Sequence, residues 1–308
     1  MNTAAPGAAA PSGLTPVRLL LAVAVMAVWG SNFVVIKLAL ADLPPLTFAA
    51  LRFTFVAFPL VFLVKRPAVP WTNLAAYGLL IGVGQFGVLF IAMQRDITPG
   101  LASLVVQTQV VFTILLATFL AGERPGIRRI AALLLSASGI VLIAVEAGGS
   151  ATPLGLALVL FAALSWSGGN MVGRRARGQS MLAYVVWSSL FASPALIALS
   201  LLVEGPADVV SGIAGASFGT WAAVAWQSVG NSIFGYGVWS WLLSEHEAST
   251  IAPLALLVPV FGMSASALFL GEPLQPWKLV AAALVLSGLV AGLLAARRPR
   301  SALRGQAS

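Results

Sequence analysis

Residues 112–141, FTILLATFLAGERPGIRRIAALLLSASGIV, return 149 positions later at 261–290 as FGMSASALFLGEPLQPWKLVAAALVLSGLV. Phe112 stands opposite Phe261, Gly122 opposite Gly271, Glu123 opposite Glu272, and Ser138-Gly139 opposite Ser287-Gly288. A fainter echo relates 27–37, AVWGSNFVVIK, to 164–174, LSWSGGNMVGR, at an offset of 137. The offset therefore grows by 12 (149 minus 137), as if the second half gained a loop between the two stretches. An apolar theme written twice, each copy a membrane bundle, is the pattern of a carrier built from structural duplicates.

The composition agrees. The chain is 59% hydrophobic and 8% charged, with a mean hydropathy of +0.98, where soluble domains carry roughly 25% charged residues. Runs of about 20 apolar residues, enough to cross a bilayer, fall near 17–40, 46–64, 72–94, 99–121, 127–146, 153–173, 181–203, 217–243, 249–270 and 276–296. Pro44-Pro45, Pro67, Pro99-Gly100, Pro125-Gly126, Gly148-Gly149, Gly205-Pro206 and Pro273 punctuate them. The expected fold is an all-α integral membrane protein of ten transmembrane helices in two inverted five-helix repeats. Its expected parts are a disordered tail over 1–16, the first repeat over 17–147, the second over 153–296, and a basic tail over 297–308. No cleavable signal peptide is expected, because the first apolar run is long and no small-residue cleavage site follows it.

Charge sets the expected orientation. With the N-terminus inside and ten alternating spans, Arg18, Lys65, Arg66, Arg124, Arg128, Arg129, Arg174, Arg175, Arg177, Arg297, Arg298, Arg300 and Arg304 lie on the cytoplasmic side. Lys37, Arg52, Arg95 and Lys278 lie at or near the outside. Thirteen against four is a strong positive-inside bias with both termini cytoplasmic. The net charge of +8 and pI of 11.1 then point to lipid headgroups as partner, and away from nucleic acid.

Several chemistries lack their residues. There is no Gly-Lys-Ser/Thr phosphate loop, and no cysteine for a thiolate site. The single histidine, His246, sits between Glu245 and Glu247 and reads as solvated. No cofactor, metal site or enzymatic activity is expected. All nine acidic residues, Asp42, Asp96, Glu123, Glu146, Glu204, Asp208, Glu245, Glu247 and Glu272, fall at helix ends or in loops. Proton-coupled carriers usually hold an ionisable group within the membrane, so a facilitator driven by its substrate's own gradient is favoured.

Polar groups inside the spans must face protein or a wet cavity. They are Asn32 and Lys37 in the first helix, Gln85 in the third, Ser103, Gln107, Thr108 and Gln109 in the fourth, Asn170 in the sixth, and Gln227 and Asn231 in the eighth. Trp29, Trp166 and Tyr236 lie on the same helices. Each amide alone could be interhelical glue. The concentration of amides and tryptophans in helices one, three, four, six, eight and nine instead suggests a cavity, with helices two, five, seven and ten as a lipid-facing or packing shell. The expected substrate-binding set is Trp29, Asn32, Gln85, Gln107, Trp166, Asn170, Gln227, Asn231 and Tyr236, with Lys37 as a substrate or gating charge. Arg52 reads as snorkelling outward or binding helix-end carbonyls, with substrate contact as the alternative. Clustered glycines, and Pro253 and Pro259, mark helices three, four, eight and nine as the ones to bend.

Ten helices in two halves, WGSNFVVIK in the first helix, and Gly-Glu closing the fourth and ninth resemble the EamA-type drug/metabolite transporter superfamily. Within it the chain looks most like the amino-acid and aromatic-metabolite exporters of the YddG type. The likeness covers roughly 17–296. It departs at Val110, where the fourth helix lacks the proline that Pro259 supplies in the ninth. The resemblance implies export of small metabolites across the bacterial inner membrane. A neutral or zwitterionic solute suits a cavity of amides and rings, so amino acids come first. A membrane-embedded enzyme, a channel, or a carrier of phosphorylated or sugar metabolites are the alternatives. A monomer or weak homo-oligomer is expected.

Overall fold

The structure, a computed structural model, describes residues 15–121, 126–176, 178–246 and 248–296. Glu123, most of the expected N-terminal tail and the basic C-terminal tail lie outside the described residues. Ten membrane-length segments follow one another: α1 (Pro16–Ala39), α2 (Pro45–Phe62), α3 (Trp71–Arg95), α4 (Pro99–Phe119), α5 (Ile127–Glu146), α6 (Pro153–Ala176), α7 (Met181–Val203), α8 (Phe218–Glu245), α9 (Pro253–Leu270) and α10 (Pro276–Ala295). Of these, α8 reaches a membrane span's apolarity only together with the short helix Pro206–Gly215, which it meets at 101°.

The starts of the helices are written locally. Three spans open on Thr-Pro: Thr15-Pro16, Thr98-Pro99 and Thr152-Pro153. Proline at the first helical position has no N–H to leave orphaned, and threonine before it can accept from the first turn. Thr15 accepts from Arg18 N and Thr152 from Gly155 N.

Packing reproduces the sequence repeat. Helix α1 packs on α9, and its repeat partner α6 packs on α4. Helix α8 lies against α1 and α2 as α3 lies against α6 and α7. The pairs α2–α7 and α5–α10 map onto themselves, as a pseudo-two-fold axis through the bundle requires. The α5–α10 crossing shows the rule at atomic scale. A Cβ added to Gly139 would lie 2.7 Å from Val285 Cγ2, and one added to Gly288 2.3 Å from Ser136 Oγ. Gly139/Gly288 and Ser136/Val285 are repeat partners, so each copy supplies the notch the other fills. Five spans per half, an odd number, make the halves enter the membrane in opposite senses.

Helical irregularities repeat as well. π-helical stretches occupy Leu79–Gly87 in α3 and Trp226–Phe234 in α8. Short 3-10 stretches occupy Val106–Thr108 in α4 and Ala252–Leu256 at the start of α9. In α9, Pro253 and Pro259 remove backbone donors. Helix α4 lacks that proline and tightens where Thr108 Oγ1 donates to Val105 O at 2.8 Å, a side-chain bond that competes with the helical ladder. Helix α2 takes the packing part of its expected role: Phe48, Ala49, Val56 and Ala57 are fully buried and Arg52 is 1% exposed, while Phe55, Phe58 and Phe62 stay exposed, because one side of α2 is packed against α7 and α8.

Candidate functional site

The four irregular stretches surround one cavity of about 260 Å³. Its walls include Trp29 and Asn32 of α1, Gln85 of α3, Gln107 of α4, Trp166 and Asn170 of α6, and Asn231 and Tyr236 of α8. Eight of the nine residues proposed from sequence therefore share one wall system. The ninth, Gln227, is fully buried one layer behind and accepts from Asn231 Nδ2 at 3.1 Å. Lys37 lies elsewhere: its Nζ donates to Met93 O at 3.0 Å and Gln94 O at 2.8 Å, near the carbonyl end of α3. Among the described residues, no acidic or basic side chain lines the cavity.

The walls are held by hydrogen bonds across the two halves' helices. Trp29 Nε1 donates to Asn231 O at 3.1 Å, a carbonyl in the π stretch of α8. The Trp29 ring packs on Tyr236 and Trp239, with centroids 5.4 and 5.6 Å away. It fits because residue 235 is glycine; a Cβ there would lie 2.3 Å from Trp29 Nε1. Asn170 Nδ2 donates to Gln109 Oε1 at 3.0 Å. Asn32 Oδ1 and Gln85 Oε1 are buried and have no partner among the described residues. Buried acceptors of this kind are normally satisfied; both residues line the cavity, although these two oxygens are themselves covered.

Sequence reading missed Gln109, Tyr77, Phe86 and Trp239 as wall residues. On an unbroken helix Gln109 would lie on the far side from Gln107; α4 instead changes pitch between them. Ser103, four residues before Gln107, packs against Gly262 of α9. Phe86 carries no polar signal and is set against the cavity by the π stretch of α3.

The cavity is continuous in lining with a wider vestibule on the face that carries the start of α1 and the end of α10, here the terminal face. The vestibule, about 960 Å³, shares Tyr77, Asn170, Met181 and Trp239 with the cavity and adds Arg174, Gln179 and Ser244. The opposite face carries a separate recess of about 500 Å³, lined by Asp42 and Glu204, that shares no lining residue with the cavity, and there carboxylates cap helix N-termini. Glu204 accepts from Leu46 N at 2.5 Å, Thr47 N at 3.0 Å and Thr47 Oγ1 at 2.7 Å, capping α2. Asp42 accepts from Ser217 N at 3.0 Å and Thr220 Oγ1 at 2.5 Å, capping α8. Glu272 accepts from Thr98 Oγ1 at 2.5 Å, Gly100 N at 2.9 Å, Lys278 Nζ at 3.0 Å and Ser266 Oγ, capping α4. Asp96 receives Thr152 Oγ1 at 2.9 Å at the start of α6. Burial pushes the Glu272 carboxyl up, but its bonds from Ser266, Thr98, Lys278 and Gly100 together hold it below the ordinary glutamate value. Bonds from Thr220 and Ser217 hold Asp42 below the ordinary aspartate value.

Comparison with known proteins matches both halves. The model of the EamA-like transporter family covers residues 17–145 and 153–293. A protein of Salmonella typhimurium named "Probable amino-acid metabolite efflux pump" is 40% identical over 92% of this chain and 96% of its own. A protein of the same name in Escherichia coli is 38% identical over 87% of this chain and 92% of its own. A solved crystal structure superposes with a TM-score of 0.60 over 92% of this chain and 99% of that chain at 23% identity, a likeness of fold. With the duplicated bundle, the mid-span cavity and a family match over both copies, this chain belongs to the EamA-like transporter family.

Proposed function

We propose that this protein exports small polar metabolites, amino acids first among them, across the bacterial inner membrane by alternating access. The observation that carries the reading is the cavity: uncharged in its described lining, walled by amides and aromatic rings, joined to a vestibule at one face and sharing no lining residue with the recess at the other. The excess of Lys and Arg supports cytoplasmic termini. The vestibule then faces the cytoplasm, where an exporter loads, and the carboxylate-capped face is external. The names of the relatives in Salmonella typhimurium and Escherichia coli support both the solute class and the direction.

In this reading Trp29, Trp166 and Tyr236 form walls, while Asn32, Gln85, Gln107, Asn170 and Asn231 offer neutral hydrogen bonds. Gln227 positions Asn231. The volume of about 260 Å³ falls below the roughly 300–1,000 Å³ of drug-sized sites and suits a small solute. No acidic residue lies within a described span away from its ends, so coupling to protons or Na⁺ is not required.

The test is counterflow of labelled amino acids in liposomes without an imposed pH or Na⁺ gradient. Exchange is expected. Gln107→Ala and Asn231→Ala should express normally and lose up to about tenfold in apparent affinity, the range for one hydrogen bond to an uncharged group. Wild-type exchange by both variants, with lowered melting temperature, would make these amides structural.

A further inference from the structure

Arg52 sits midway along α2, 1% exposed, with no carboxylate within 4 Å among the described residues. It does not snorkel. Its guanidinium lies over the Phe86 ring, Cζ 3.6 Å from the centroid, and 5.2 Å from that of Phe53. Nη2 donates to Ser232 Oγ at 3.3 Å, and its own backbone carbonyl accepts from Ser228 Oγ at 3.3 Å. Arg52 is thus clamped between the π stretches of α3 and α8. Nε and Nη1 have no acceptor among the described residues. Guanidinium keeps its proton in proteins, so this is a permanent positive charge at membrane depth with most of its donors unused. Such a charge is strongly unfavourable without compensation. The repeat does not demand it, since the corresponding position in α7 is near Trp187.

Its surroundings say what it serves. Phe86, on which the guanidinium lies, lines the cavity, as do Gln85 beside it and Asn231 beside Ser232. The cavity lining itself carries no charge, so the fixed charge next to it, one ring away, sets the sign of its potential. The unpaired atoms fall into two kinds: donors at Arg52 and Gln227, acceptors at Asn32 and Gln85.

We propose that Arg52 is the specificity-determining residue for a carboxylate on the transported solute. The carboxylate is drawn to the Phe86 wall and, once that ring turns aside, pairs with the free Nε and Nη1. A donor group of the same solute, such as an ammonium, meets Asn32 Oδ1 and Gln85 Oε1. The carboxylate meets a full opposite charge in a guanidinium, while the ammonium meets only neutral amide oxygens, so the carboxylate matters more than the amino group. This rests on the transport reading above.

The experiment is counterflow of whichever labelled amino acid the wild type exchanges fastest. The competitors are that amino acid unlabelled, its carboxamide, and its des-amino carboxylic acid. The carboxamide should compete at least about tenfold more weakly than the parent, and the des-amino acid should lose less. Arg52→Gln should abolish this ranking, while Arg52→Lys, which keeps the charge, should retain it at reduced flux. A carboxamide that competes as well as the parent in the wild type, or a ranking that survives Arg52→Gln, overturns the proposal and leaves the transport reading intact. If Arg52→Gln fails to accumulate, the wild-type ranking and Arg52→Lys still decide. Absence of any amino-acid exchange by the wild type would instead sink the transport reading itself.

Discussion

The two faces of the bundle are tied by different chemistry. At the face opposite the termini, α2, α4, α6, α8 and α10 begin, and the first four have a carboxylate from another element at their starts: Glu204, Glu272, Asp96 through Thr152, and Asp42. At the terminal face, α3 begins on Pro70 and α5 on Gly126 with no side-chain cap, and α7 uses its own Ser180. Helix N-termini carry orphan N–H groups and the positive end of the dipole, so a carboxylate supplied from a neighbouring helix both satisfies donors and joins two elements. Where such joints are dense, the cavity shares no lining with the recess beside Asp42 and Glu204; where they are sparse, it joins a vestibule.

Breaking Glu272 should have the largest effect. Lys278 is 1% exposed, and its Nζ is left with Pro273 O at 3.2 Å when the carboxylate goes. Removing one member of a buried pair costs about 3–5 kcal/mol. Glu272→Gln should therefore melt well below wild type, and Glu272→Gln with Lys278→Met should recover part of the loss. The sign with pH follows from the depressed carboxyl. Its contribution is complete above the ordinary glutamate range and is lost as pH falls through the lower folded value. The gap between wild type and Glu272→Gln should accordingly close on acidification. The chain has no cysteine, so Leu89→Cys in the cavity wall gives a clean reporter. Its labelling from the face opposite the termini should rise in the Glu272→Gln background.

Glu204→Gln should rank second, near 1–2 kcal/mol, the range for losing a charged N-cap. Calorimetry of both variants would test the order, and a larger loss for Glu204→Gln would reverse it.

The smallest effect is expected on the terminal face. Arg18 pairs with Glu245 at 3.1 Å, with the two side chains 26% and 44% exposed. It also meets His246 Nε2 at 3.0 Å. Exposed pairs of this kind contribute about 0–1 kcal/mol, so Arg18→Ala should shift the melting temperature little. A loss matching that of Glu272→Gln would erase the distinction between the faces.

The duplicated stretch at 112–141 and 261–290, the ten apolar runs and the helix stops were enough to read the bundle, because hydrocarbon allows few ways to satisfy a backbone. In-span amides pointed to the cavity for the same reason: each is costly unless it faces protein or water. Asn32, Gln85, Gln107, Asn170 and Asn231 all line it. Legibility failed for residues whose role depends on a neighbour. Lys37 and Gln227 carry the same polar signal as the wall residues, but helix phase turns one to the carbonyls of α3 and sets the other a layer back. Gln109 reaches the wall only because α4 changes pitch.

Sequence alone thus determined the membrane class, the duplicated halves and the polar inventory, since these follow from local apolarity and repeat spacing. Tertiary structure decided the rest. It put Arg52 in the interior by enclosing α2 between α7 and α8, and it sent Glu204, Asp42 and Glu272 to helices far away in the chain. A buried charge and a cross-helix cap are both settled by what packs beside them, and no spacing along the chain encodes that neighbour.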